Sequence, residues 1–156
     1  MCMKQATLCF VRKEGHVLLG LKKKGFGEGK WNGFGGKVEE GETVEAAARR
    51  ELFEESGLRA ELVKHGELTF QFANKPEWNQ VVHVFVAKSW SGNPIESDEM
   101  LPKWTSEKDL PFDKMWVDDK HWLPLVLEGK VVRGSFLFDG DELKEFVVEA
   151  KESDKK

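Results

Sequence analysis

Four side chains carry the first chemical signal in this sequence: Arg50, Glu51, Glu54 and Glu55, inside the run GKVEEGETVEAAARRELFEESGL at residues 36–58. Glutamates three and four positions apart share a helix face. At roughly 100° per residue, Val44, Ala47, Ala48 and Leu52 define an inward arc, and Glu51 and Glu55 fall in the middle of it. Unpaired carboxylates are costly to desolvate and like charges raise one another's pKa, so this placement asks for a compensating cation. Hard oxygen donors in that number suit magnesium, with manganese as a substitute. Glu42, just upstream, adds another acid. The competing reading of any glutamate-rich helix is a solvated polar face.

A second constellation lies at Trp116, Asp118, Asp119 and Trp122. An indole plane beside paired acids is suited to sandwiching a base while hydrogen-bonding its rim. Neighbouring carboxylates repel, so one can stay protonated and offer a donor beside the other's acceptor. The competing reading is a helix N-cap followed by a second acid. Asn32, whose amide both donates and accepts, sits in the loop GFGEGKWNGFGGK, where clustered glycine permits close backbone approach to a metal or substrate. That loop lacks the GK[ST] ending of a phosphate-binding P-loop. In the basic run at residues 22–24, Lys22 and Lys23 face opposite sides of a strand, so one reaches a pocket while the other stays wet. Glu99, in ESDEM, reads as an acidic surface turn or as a group beside a strand start.

The elements that position these groups are legible in outline. Thr43 is placed to cap a helix of about three turns, Glu45 favours its positive end, and Gly57 fits a left-handed stop with Leu58 packing back. Residues 7–11 and 17–21 read as a hairpin joined at Glu14-Gly15. Residues 62–72, 81–90, 100–105, 131–138 and 143–148 read as further strands, the 81–90 segment being the most apolar and central. Residues 73–80, with Pro76, form a loop, and Asp118 or Asp119 caps a second helix through Leu127 in which Pro124 introduces a kink. Strands mixed with two main helices give an α/β fold, an α/β/α sandwich with a mixed sheet. One domain is expected over residues 1–150, with a polar tail at 151–156.

Composition narrows the partners. A chain of 156 residues with 40% hydrophobic content can bury a real core. A net charge of -4 gives no overall drive toward polyanionic nucleic acid, so a free nucleotide is the easier partner. Cys2 and Cys9 lack framework spacing and read as free thiols of a reducing compartment. The opening residues lack a signal-peptide core and no apolar stretch is long enough for a membrane span. A monomeric, cytoplasmic protein is expected, with no nucleic acid and no membrane as partner.

The order Gly36, five free positions, Glu42, seven free positions, then Arg50, Glu51, Leu52, Phe53, Glu54, Glu55, Ser56, Gly57 and Leu58 resembles the signature of the Nudix hydrolases at every fixed position. That resemblance implies the Nudix fold and a divalent metal held by Glu51, Glu54 and Glu55. It also implies the Gly36 carbonyl as a fourth ligand, Glu99 approaching from across the site, and Arg50 orienting a glutamate. Which glutamate is the general base stays open. WNGFGGK, ESDEM and MWVDD further resemble the branch of the family that cleaves oxidised purine nucleoside triphosphates, such as 8-oxo-dGTP and 2-hydroxy-dATP, by attack at the β-phosphorus. The products are the monophosphate and pyrophosphate, which clears damaged nucleotides from the pool. This implies a substrate site of Thr7, Lys22, Asn32, Phe34, Gly35, Gly36, Lys37, Phe70, Trp116, Asp118, Asp119 and Trp122. The chain departs from that branch in the length of the 73–80 loop, in polar Asn79 and Gln80 where an apolar wall is expected, and in Val117 where a proline is expected. The alternatives are a Nudix hydrolase of a dinucleoside polyphosphate or nucleotide sugar, and a non-catalytic nucleotide- or RNA-binding module.

Overall fold

The computed structural model describes residues 3–153, so Cys2 and the last three residues of the expected tail lie outside the described residues. Eight strands and two α-helices follow in the order β1 (Lys4–Lys13), β2 (His16–Lys22), β3 (Trp31–Asn32), α1 (Val44–Ser56), β4 (Arg59–Phe72), β5 (Gln80–Ser91), β6 (Met100–Ser106), α2 (Asp119–Leu127), β7 (Lys130–Asp139) and β8 (Glu142–Glu152). The strands lie in the order β3-β2-β1-β5-β4-β7-β8, with β6 also paired to β2. β1 runs parallel to β5 and β4 parallel to β7, while the other pairs are antiparallel, which makes the sheet mixed.

Alternation along the central strands builds two cores. Cys9, Val11, Leu18 and Phe85 face one side, where Ala48 and Leu52 of α1 cover them. Phe10, Val17, Leu19 and Val84 face the other, under Trp122, Leu123 and Val126 of α2. Strands buried on both faces read as continuous apolar runs, which is why residues 81–90 look central. Each fully buried leucine contributes roughly 1.5–3 kcal/mol. The β1–β2 hairpin turns at Glu14 (φ 48°) and Gly15 (φ 78°), the double positive φ that matches strand twist.

The ends of α1 are as expected. Thr43 accepts the Ala46 N–H at 3.1 Å, and Gly57 adopts φ 83° while donating to Phe53 O. At α2 the expectation needs correction: Asp118 has helical φ and ψ and makes no capping hydrogen bond. Its carboxylate points along the helix to Trp122 instead. The tail also begins later than position 151, because Lys151 and Glu152 still pair within β8.

Candidate active site

The acids of α1 are arranged around Arg50. Its guanidinium donates to both carboxylate oxygens of Glu42, at 2.6 and 3.1 Å, to Glu51 at 3.1 Å, to Glu54 at 3.3 Å and to the Lys37 carbonyl at 3.1 Å. Hydrogen bonding to Arg50 holds Glu42 below the usual carboxylate range. Among the described residues no three acid, histidine or cysteine side chains converge at metal-binding range, so the acids are gathered less tightly than the sequence implies. Arg50 claims Glu51 and Glu54, and Glu55 turns away from them to accept the Gly35 N–H at 3.1 Å.

Glu55 is nonetheless the acid that enters the cavity. It is buried, and burial, followed by repulsion from Glu51, pushes its carboxyl up to about 7 against the opposing Gly35 hydrogen bond. Burial also raises Glu51, against the pull of Arg50. Glu54 is exposed. Glu99 pairs with Lys22 at 3.0 Å, which draws it below the usual carboxylate range, and its charge is felt by both Glu51 and Glu55.

The glycine loop packs closely on β1 and on this helix at Gly35 and Gly36. A Cβ on Gly35 would sit 1.8 Å from the Thr7 carbonyl oxygen, and one on Gly36 would sit 2.4 Å from Glu51 Oε2. The close approach that glycine permits is therefore to β1 and to an acid of α1, rather than to substrate alone. The Gly36 carbonyl accepts the Thr7 N–H at 2.9 Å and, more weakly, the Thr7 hydroxyl at 3.4 Å, so it is tied to β1.

Beside the acids opens a cavity of about 380 Å³. Of the residues expected at the substrate site, Thr7, Lys22, Asn32, Gly35, Gly36, Lys37, Phe70, Trp116, Asp118, Asp119 and Trp122 line it. Phe34 does not: it is fully buried in the core beneath α1, its backbone bonded to Cys9, and it has no access to a ligand. Asn32 is less versatile than its chemistry allows, because its Oδ1 already accepts the Gly33 N–H at 2.8 Å and its NH2 remains to donate. Trp122 is buried and donates its indole N–H to Asp118 Oδ2 at 2.8 Å, so it orients an acid as well as forming the floor.

Asp118 and Asp119 are both 3% exposed, and among the described residues no cation pairs with either. Burial, and then the adjacent Asp118 charge, push Asp119 well above the usual range. Burial also raises Asp118, opposed by the Trp122 hydrogen bond. Among the described residues Asp119 Oδ2 is buried and has no hydrogen-bond partner, a loss of about 1–3 kcal/mol unless something supplies one. A protonated acid beside an ionised one gives a donor and an acceptor on the same wall.

Several cavity residues escaped the sequence reading. Phe26 lines the cavity and stacks on Trp116, with centroids 5.0 Å apart. The ammonium of Lys30 lies 5.2 Å from the Trp116 ring, and Leu8, Leu68, Phe72, Val82, Met100 and Phe138 add to the apolar lining. Only the aromatic surplus of the sequence hinted at Phe26, since its partner lies 90 positions away. Asn79, expected as a departure from an apolar wall, instead closes its own loop by accepting the Phe72 N–H at 2.7 Å, whereas Gln80 does line the cavity. Cys9 is buried and its thiol is pushed up by burial, which leaves it an inert core residue.

An acid-bearing helix, a glycine loop docked on it and an adjoining apolar cavity on a mixed sheet define a Nudix domain. The family model described as the NUDIX domain matches residues 3–126, and the chain belongs to the Nudix hydrolases. Over 141 residues it is 52% identical to the oxidized purine nucleoside triphosphate hydrolase of Danio rerio, with 90% of each chain covered. It is 49% identical over 137 residues to the enzyme of the same name from Mus musculus, with 87% of each covered. Among solved structures, the MutT protein of Bacillus halodurans superposes with a TM-score of 0.84 at 24% identity, covering 94% of this chain and 98% of that one, which speaks to the fold. The MutT NUDIX hydrolase of Burkholderia pseudomallei gives 0.66 at 29% identity, covering 71% and 88%. Nudix hydrolases act on small-molecule nucleotides and generally use divalent metal ions. No helix among the described residues is long and apolar enough to cross a membrane.

Proposed function

We propose that this chain hydrolyses oxidised purine nucleoside triphosphates, 8-oxo-dGTP and 2-hydroxy-dATP among them, to the monophosphate and pyrophosphate. The observation that carries the reading is the buried Asp118–Asp119 pair facing the cavity, with one oxygen left without a partner. Oxidation at C8 or C2 changes the pattern of donors and acceptors on a purine rim, and a pair that can share one proton offers both kinds of partner. Trp116 supplies a face for the ring, and the Asn32 NH2 donates from the loop side.

The phosphates are assigned to the part of the cavity lined by Lys22, Lys37 and Glu55, where the Lys22 charge acts on Glu55. Magnesium, or manganese in its place, suits the donors there. Glu51, Glu54 and Glu55 are hard oxygen ligands, Glu51 and Glu55 raised by burial and by neighbouring carboxylates, and Gly36 brings its backbone against Glu51 because no Cβ intervenes. Bound among these groups, the cation would neutralise charge on the phosphates. Glu55 presents a carboxylate of near-neutral proton affinity at the cavity wall, a suitable acceptor for the proton of an attacking water. Arg50 fixes Glu51, and among the described residues no cation pairs with Glu55. The same reading makes the protein a cytoplasmic monomer whose partner is free nucleotide rather than nucleic acid or membrane.

Pyrophosphate release with magnesium over normal and oxidised nucleoside triphosphates, alongside a diadenosine polyphosphate and ADP-ribose, tests it. Faster turnover of 8-oxo-dGTP and 2-hydroxy-dATP than of dGTP and dATP is expected. Equal rates on dGTP and 8-oxo-dGTP would remove the sanitising role.

A further inference from the structure

Trp78 lies outside the cavity yet touches two of its walls. It ends the short 3-10 turn Pro76–Trp78 that separates β4 from β5. Its ring meets Phe26 edge to face at 5.2 Å and Phe72 edge to face at 5.9 Å, and both partners line the cavity. The outer part of Trp78 is covered by the ammonium of Lys75 at 4.6 Å. The turn beneath is closed by the Trp78 N–H to Lys75 O at 2.9 Å and by Asn79 Oδ1 accepting the Phe72 N–H at 2.7 Å. Phe26, by contrast, sits at the tip of a loop between Gly25 and Gly27, both at positive φ, and is 56% exposed. Aromatic contacts of Phe26 among the described residues are to Trp116 and Trp78 alone. A ring on so free a backbone loses conformational entropy when it is held in place.

We infer that Trp78 is a positioning residue for the base: by packing against Phe26 it holds that ring on Trp116 before substrate arrives, so the aromatic wall needs no ordering on binding. The inference rests on the reading of this cavity as the base site. It predicts an effect on affinity and none on the chemical step, because the contact is the same in ground and transition states. It also predicts that the effect follows the base and not the phosphates, since Phe26 and Phe72 stand on the apolar side of the cavity.

The test is equilibrium binding of 8-oxo-dGMP by titration calorimetry, beside steady-state turnover of 8-oxo-dGTP. Trp78→Ala is expected to weaken monophosphate binding and raise KM by about fivefold, the scale of one aromatic pair, with kcat unchanged. Trp78→Phe should stay near the parent, and affinity for inorganic tripolyphosphate should not move. On a Phe26→Ala background the same Trp78 substitution should cost nothing further, as expected for two residues acting as one unit. If Trp78→Ala fails to fold, Trp78→Leu carries the same expectation. Parent-like binding by Trp78→Ala, additive losses in the double variant, or equal weakening of tripolyphosphate would overturn the inference. A protein that binds 8-oxo-dGMP without hydrolysing the triphosphate would instead sink the proposed activity and leave the role of Trp78 standing.

Discussion

The two faces of the sheet each bring acids toward one cavity, and they hold them by opposite means. On the α1 face, Glu42, Glu51 and Glu54 remain partly in water and share one guanidinium, which holds Glu42 below the usual carboxylate range. On the α2 face, Asp118 and Asp119 are almost fully buried, with an indole N–H donating to Asp118, so part of their charge is given up. The first arrangement suits a partner that brings positive charge, and the second suits a neutral partner with both donors and acceptors. Phosphate with its counter-cation and a purine rim are such partners, and the difference shows how one cavity can sort the two ends of a nucleotide.

The contrast breaks most sharply at Glu55. Glu55→Gln keeps the shape and the Gly35 hydrogen bond but cannot accept a proton. Pyrophosphate release should fall by about 10²–10⁴-fold, while thermal melting stays close to the parent. Arg50→Ala should act on stability as well, since it strands several partly buried carboxylates at once. A loss of about 2 kcal/mol by denaturant titration is expected, with activity falling alongside. Thr43→Ala, which removes only the N-cap of α1, should cost about 1 kcal/mol and leave substrate preference untouched.

The subtlest difference lies in the sign of the pH response. The carboxyl of Asp119 is raised in the folded protein, so its contribution is fully present below the ordinary aspartate pKa of about 3.9 and is lost as pH rises through the folded value. Glu42 is lowered, so its contribution is present above the ordinary glutamate pKa of about 4.3 and is lost as pH falls through the folded value. Asp119→Asn should therefore gain stability over the parent on going from pH 5 to pH 8. Arg50→Ala should lose its deficit only under acid conditions. Denaturation curves over that range check Asp119→Asn, and their extension to about pH 3, below the ordinary glutamate pKa, checks Arg50→Ala; a pH-independent Asp119→Asn difference would refute the assignment for that group.

What the sequence reveals follows from how far apart the interacting residues are. Thr43, Gly57 and the glutamates of α1 act within one helix, and their roles follow from spacing and chirality. The hairpin at Glu14-Gly15 and the apolar run of β5 are local in the same sense. Gly35 is different: its reason is the Thr7 carbonyl 28 positions earlier, and nothing near Gly35 announces that contact. Phe34, inside the same motif, alternates away from its neighbours into the core, so proximity in sequence misassigns it to the substrate. Asp118 has every local credential of a cap, but Trp122 four residues on offers a buried donor and takes the carboxylate. The Phe26–Trp116 and Phe26–Trp78 contacts join three separate segments, and only the folded chain brings them together.

β1 has a further consequence. Its Cys9 lies beneath α1 and its Phe10 beneath α2, while Thr7 is stitched to Gly36 and Leu8 faces the cavity. A single rod thus serves as the common datum for both working ends of the molecule. Tilting it by overfilling either flank would misalign the two ends together, so damage there should appear as simultaneous loss of grip and of turnover, with no variant of this rod able to trade one for the other.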